Sequence, residues 1–386
     1  MKKKHALLGF ILAASLTAIV SGCGNNEESQ NNNQNQGGPP SGGGMGSATV
    51  DTDSIVTDVG ATLDEAVSVS DDSGSVDKKA TKLAKAFLET LSDEQQKSIQ
   101  YDLTAENAAT WSNLPVDIVQ RNGILLGSLS EESLKAAKKL FYVALGEQGY
   151  EQLVKNLKAE EKLGESSSSY DADLYYVSIL GDVSDSSAWI LQVGGHHYAN
   201  NFTFNAEQTG ATPFFIGIEP QTFETSDGET IEALATRKDA VYSMIDSLSD
   251  DQQSEAKITD QFDDVLVGPG NDGNFPTESE GVLVSELSEK QQELVKAAIK
   301  AWVTDVNEED QKELLDAYLS DESLAKTYVA WSGSTDPEDV GSYIRIDGPR
   351  VWIEFAVQSG IVIKDKVHFH TIWRDKEADY GGEFNS

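Results

Sequence analysis

The sequence predicts an α+β fold in which a largely antiparallel sheet is covered by several capped helices, all in a single large domain. Three observations carry this. Apolar residues recur at helical spacing in blocks: Leu134, Ala137, Leu140, Phe141 and Leu145; Leu153, Leu157 and Leu163; Leu294, Ala297, Ile299 and Trp302; and Leu314, Leu315, Tyr318 and Leu319. Between the blocks lie strand-like runs at residues 175–181 and 189–204, then at 343–346, 351–357 and 361–374. Asp347-Gly348-Pro349 separates two of these as a tight turn, so the last group reads as an antiparallel meander.

From the N-terminus, Lys2, Lys3 and Lys4 precede an apolar run over residues 6–20, then Ser21, Gly22 and Cys23. This is the grammar of a secretory leader, and the run falls short of the roughly 20 residues a spanning helix needs. Val20-Ser21-Gly22-Cys23 resembles the lipobox of bacterial lipoproteins. The expectation is a leader at residues 1–22, lipid on Cys23, and an extracytoplasmic domain anchored to the cell membrane by that lipid. Residues 24–47 are Asn, Gln, Gly, Pro and Ser with almost nothing apolar, the composition of a flexible tether. Residues 48–76 add Val50, Ile55, Val56 and Val59, which can dock on the domain. The tether is assigned to residues 23–75 and the globular domain to 76–386.

Cys23 is the sole cysteine, so internal disulfides and thiolate metal sites are excluded. Against 29 basic residues stand 65 acidic ones, a net charge of -36 that repels phosphate backbones and argues against nucleic acid as a partner. Protein partners are not specified.

Helix starts repeat a phrase. Leu91-Ser92-Asp93-Glu94-Gln95-Gln96, Leu248-Ser249-Asp250-Asp251-Gln252-Gln253 and Leu287-Ser288-Glu289-Lys290-Gln291-Gln292 are each a capping box behind a leucine. Ser130 opens another helix in a Leu-Ser-Glu-Glu context. The recurrence reads as the grammar of helix starts rather than as a duplicated segment.

Apart from His5, the histidines form two pairs, His196 with His197 and His368 with His370. On a strand, His-Phe-His places His368 and His370 on one face and Phe369 on the other, which suits two ligands of one metal. His196 and His197 point to opposite faces of a regular strand, so both reach one point only across a turn or bulge, for which Gly194 and Gly195 allow. Glu354, a charge inside an apolar strand, is the expected carboxylate ligand, with Asp375 and Asp379 as further candidates or as groups orienting an imidazole. The ligand types suit a divalent transition metal such as zinc, copper or iron. The bland alternatives are hydrogen-bonded core histidines, and Glu354 paired with Arg345, Arg350 or Arg374.

The leading expectation is a surface-tethered lipoprotein whose histidine site binds such a metal, for metal handling or metal-dependent chemistry. One alternative is a metal-free hydrolase in which His368 or His370 is the general base, Asp379 orients it, Tyr380 or Ser178 is proton donor or nucleophile, and Arg374 holds an anionic small molecule. Another is a non-catalytic envelope binding module. The chain has no Gly-x-Ser-x-Gly elbow, His-Glu-x-x-His helix, P-loop or dinucleotide fingerprint. Gly268-Pro269-Gly270-Asn271-Asp272-Gly273 reads as a surface turn rather than an anion-binding nest.

Several stretches together resemble the bacterial family catalogued as domain of unknown function 3500. They are Arg121-Asn122-Gly123, residues 195–202 beginning Gly195-His196-His197-Tyr198, Thr212-Pro213-Phe214-Phe215, Gly268-Pro269-Gly270, and residues 368–375 beginning His368-Phe369-His370, with Asp379-Tyr380-Gly381. The resemblance spans about Trp111 to Gly381. It implies one continuous domain and draws attention to the same histidines, without implying a biochemical role.

Overall fold

A computed structural model describes residues 50–69, 74–226 and 228–384. The leader, Cys23 and the first part of the tether lie outside the described residues. Among those described, no helix is long and apolar enough to cross a membrane.

The chain builds one pattern of elements twice. After a short helix α1 (Val59–Asp64), the first half runs through α2 (Val76–Glu89), α3 (Asp93–Ile99), β1 (Gln100–Tyr101), α4 (Ala105–Ala108), β2 (Ile124–Leu125) and the long α5 (Glu131–Gly164). A four-strand meander follows: β3 (Tyr176–Leu180), β4 (Trp189–Gly195), β5 (Tyr198–Phe204) and β6 (Phe214–Ile218). A small hairpin, β7 (Phe223–Glu224) and β8 (Thr230–Ile231), leads to the second half. There α6 (Ala235–Asp246), α7 (Asp250–Ala256), β9 (Val282–Leu283), α8 (Glu289–Val303), α9 (Glu308–Tyr318) and α10 (Asp321–Leu324) precede the meander β10 (Tyr328–Ser332), β11 (Tyr343–Asp347), β12 (Val351–Ser359) and β13 (Val367–Asp375).

The meanders join through β6 and β13 in one sheet ordered β1-β3-β4-β5-β6-β13-β12-β11-β10-β9, with β2 also on β3. Because β6 and β13 run antiparallel, with Thr371 opposite Ile216, the order reads outward identically on both sides of this junction. The fold class is therefore α+β, with a large, mostly antiparallel sheet.

Register shows that the repetition extends to individual residues. Gln100 pairs with Ile179 in parallel, and so does Lys257 with Trp331. Ile124 and Leu125 lie opposite Val177 and Tyr176, as Val282 and Leu283 lie opposite Val329 and Tyr328. Gly123 and Gly281 precede these strands with φ of 96° and 114°, and a Cβ on either would strike the carbonyl oxygen of Val177 or Val329. Only glycine fits such a position. The recurring Leu-Ser phrases are thus corresponding parts of two halves, which corrects the reading of them as helix-start grammar alone. They do also cap. Ser92 and Ser249 accept from the Gln95 and Gln252 amides, and Gln95, Gln252 and Gln291 return a side-chain oxygen to the cap N–H.

Helices cover one face of the sheet, where Val177, Leu191, Phe202, Phe214, Ile353, Phe355 and Phe369 share a core with Leu153 and Leu157 of α5 and Ile299 of α8. The other face lies under irregular chain, where Trp111, Ile258 and Val265 pack on Ala199, Phe215, Ala356 and Ile372. With both faces covered, the inner strands are almost wholly buried. Residues 50–69 are a correction to the tether. Val59 and Leu63 are fully buried in the main core, and Val50 and Ile55 pack beside Val116, Leu125 and Leu174. Asp58 starts the docking helix by accepting from the Ala61 N–H at 2.8 Å. Residues 361–366, expected as strand, precede β13, and Ile361 is exposed there.

Candidate metal centre

The first pair of histidines forms the tip of the β4–β5 hairpin. Gly195 and Tyr198 are the last paired residues, which leaves His196 and His197 as a two-residue turn. His197 has φ of 58°, a left-handed conformation that costs a β-carbon-bearing residue about 1–2 kcal/mol. Surrounding donors over-determine this turn. Arg121 donates to Gly195 O at 3.0 Å, the Tyr175 hydroxyl to His196 O at 2.9 Å and the Gly217 N–H to His197 O at 2.7 Å. Asn156 adds a bond to His197 O at 3.3 Å, and the His197 N–H donates to Asn113 O at 3.2 Å.

The second pair arrives on β13. Alternation sends Phe369 into the helix-covered core, while His368 and His370 take the opposite face, as the spacing predicts. His370 pairs across to Gly217, and the missing side chain there makes room for the rings. A Cβ on Gly217 would lie 2.6 Å from His197 Cδ2 and 2.9 Å from His370 Cδ2.

The four imidazoles pack together. Ring centres are separated by 3.6 Å between His196 and His197, 5.6 Å between His197 and His368, 5.2 Å between His197 and His370, and 4.8 Å between His368 and His370. Both members of the first pair therefore join the site, because a turn frees them from strand alternation. All are buried, with 8, 4, 2 and 6% of His196, His197, His368 and His370 exposed.

Helix α5 adds a fifth group. Gln152, Asn156 and Glu160 succeed one another at four-residue spacing and line one buried face. The Glu160 oxygens lie 2.9 and 3.1 Å from His196 Nδ1 and 3.8 Å from His197 Nδ1. Burial raises the Glu160 carboxyl well above its usual range, with Arg121 opposing and Asp171 and Glu219 reinforcing. Burial, with help from His370 and Arg121, lowers His196 to about 3. His368 falls to about 3 through burial and then His370, and His197 lies far below its usual value for the same reason, with the other three rings adding to the effect. Neutral imidazoles present lone pairs, which is the state a metal requires.

The outer nitrogens are anchored. His368 Nδ1 lies 2.8 Å from Ser359 O, while His370 Nδ1 lies 2.8 Å from both the half-exposed Asp264 and the Gln358 amide. A carbonyl partner of this kind fixes the tautomer of His368 and leaves its Nε2 free. His370 Nε2 and His197 Nδ1 are buried without a hydrogen-bond partner. Donor atoms of His197, His368 and His370 lie within 4.8 Å of one another, and so do those of Glu160, His196 and His197. Nitrogens bound to zinc at about 2.0–2.1 Å stand roughly 3.3 Å apart, so a modest inward turn of the rings completes either set.

The other expected site residues lie elsewhere. Glu354 is not a ligand. Its carboxylate accepts from Tyr343 and Leu266 at 2.6 Å, Trp352 at 2.8 Å and Val267 at 3.0 Å, and it anchors the irregular chain to the sheet. Arg374 is four residues beyond His370, about 13 Å along a strand. It donates to Asp272 at 2.8 Å and lies 3.0 Å from Asp379, so two carboxylates of this chain already pair with it. Tyr380 bonds Asp272 and Trp111, each at 2.9 Å, and Ser178 donates to Gln192 at 3.0 Å. Asp375 pairs with Arg350. The Gly268–Gly273 turn thus hands Asp272 to Arg374. Sequence reasoning missed Glu160 and Asp264. The spacing of Gln152, Asn156 and Glu160 among helix-core leucines was a usable signal for the first, while the loop around Asp264 offers none.

The profile of the family described as "Protein of unknown function (DUF3500)" matches residues 73–382. No curated protein and no solved structure matches the chain.

Proposed function

We propose a metal-binding function for this chain, which belongs to the DUF3500 family of proteins of unknown function. The ligands are His197, His368 and His370, the ion is a divalent transition metal such as zinc, copper or iron, and the role is metal handling or metal-dependent chemistry. One observation carries the reading. His370 Nε2 is buried with nothing to bond, beside the His197 and His368 rings that burial holds neutral, while its Nδ1 lies against Asp264. An unsatisfied buried polar atom costs about 1–3 kcal/mol, and a bound ion removes that penalty. Under the leader's address the site faces the outside of the cell on a lipid tether at Cys23, and its metal is supplied from there.

The test is metal analysis of the purified full chain after exposure to zinc, copper and iron, beside a variant carrying His368→Ala and His370→Ala. Stoichiometric metal in the parent and less metal in the variant is the expected result. A parent that retains no metal overturns the reading. A second reading draws on the Asp264–His370 contact, which is that of an orienting carboxylate and a general base. It requires a hydrolytic activity that survives chelators and disappears with His370→Ala.

A further inference from the structure

The donors form two overlapping sets that share a single ring, His197. An imidazole carries two nitrogens, so one ring can serve both sets at once. The Cδ2 edge of His197 faces Gly217 and the His370 ring, as the 2.6 and 2.9 Å approaches to a Cβ on Gly217 show. Its Nδ1 lies 3.8 Å from Glu160, buried and unpartnered. Glu160 and His196 already sit 2.9 Å apart, the separation of neighbouring ligands about 90° apart around one ion at roughly 2.0–2.2 Å. The half-buried Tyr170 ring covers His196 from outside at 4.8 Å.

The geometry points to a second metal position, held by Glu160, His196 and Nδ1 of His197, so that two divalent ions flank the His197 ring and share it as an imidazolate. The inference rests on the reading of His197, His368 and His370 as a metal site. The protons balance. The second ion displaces the proton held between His196 and Glu160 and the remaining ring proton of His197, and both leave to solvent. Glu160 and the imidazolate then supply two negative charges against the added ion. Adding the ring's own width to two metal–nitrogen bonds of about 2 Å places the ions roughly 6 Å apart.

Copper(II) is the probe, because it binds nitrogen sites most tightly among the divalent first-row ions and carries an unpaired electron. The metal-free full chain is titrated with copper(II), and bound copper and electron paramagnetic resonance intensity are read at each addition. Two coppers are expected, with the signal rising over the first equivalent and falling over the second as the shared ring couples the two spins. Glu160→Gln should bind one copper with full signal. One copper with full signal in the parent chain overturns the second position. Two coppers with additive signals overturn the shared ring. No bound copper at all overturns the underlying metal reading instead. The parent titration decides these outcomes even if the variant fails to fold.

Discussion

The turn between β4 and β5 and the turn between β11 and β12 stand at corresponding places in the two halves, yet they carry opposite chemistry. Tyr176 faces Gly194 as Tyr328 faces Asp347, so His196-His197 in one half answers to Pro349-Arg350 in the other. At the second tip the buried Asp375 carboxylate is filled from several sides. Arg350 grips both oxygens of Asp375 at 3.2 and 2.6 Å, and Tyr318, Glu377 and Ala378 donate to the same carboxylate at 2.7, 3.0 and 3.0 Å. At the first tip one buried imidazole nitrogen, Nδ1 of His197, is left bare, and Nε2 of His370 on β13 is bare beside it. One scaffold thus carries a cross-bonded carboxylate at one end and a cluster of imidazoles with bare nitrogens at the other.

The largest expected effect separating the tips is acid sensitivity of the metal-free chain. His196 and His368 fall to about 3 when folded, below the ordinary value near 6.5, so the unfolded chain binds more protons below pH 6.5. Stability should be full above that pH and decline as pH falls from 6.5 toward 3, by up to about 1.4 kcal/mol per unit for each histidine. Arg350 titrates far above this window. Burial would lower it, but Asp375 outweighs burial and raises it. Urea midpoints across this pH range check the claim, and replacing both His196 and His368 with Gln should flatten the slope. An unchanged slope would remove the histidine tip as its source.

Next comes Arg350→Ala, which strands the buried Asp375 and should lower stability by about 3 kcal/mol. Metal content should stay the same, and a loss of metal would show that the two tips are coupled. Asp264→Asn tests the support of His370. Metal affinity, read by chelator competition, should weaken about 10–100-fold while the urea midpoint barely moves. The smallest effect is a symmetry check. Ser92→Ala and Ser249→Ala cap corresponding helices and should each cost about 1 kcal/mol, and a large inequality would argue that the halves differ in scaffold as well as in chemistry.

Much of the scaffold was legible, because caps, alternation and tight turns are local. His368 and His370 were legible as a pair on one face, since strand alternation is a property of consecutive residues. The Glu354 inference was half right. A buried acid did need partners, but an indole, a phenol and two backbone N–H groups met that need. Its counterpart in the first half is Asn201, which accepts from Gln192 at 2.9 Å and donates to Pro213 O at 2.9 Å in an equally structural role. Register exposes this correspondence, for Gln192 faces Asn201 as Arg345 faces Glu354. Glu160 and Asp264 were hidden because they reach the rings from 36 and 106 residues away in sequence.

By itself the sequence determined the class of fold, the helix starts, the His-Phe-His face and the restriction of metal chemistry to imidazole and oxygen, because each follows from residue identity and near neighbours. Tertiary structure alone decided that the β6–β13 junction carries a hairpin tip to His368 and His370, that Glu160 completes the cluster while Glu354 does not, and which nitrogens remain bare. Satisfaction of a buried donor depends on every group that packing brings within bonding distance, and those groups come from far along the chain.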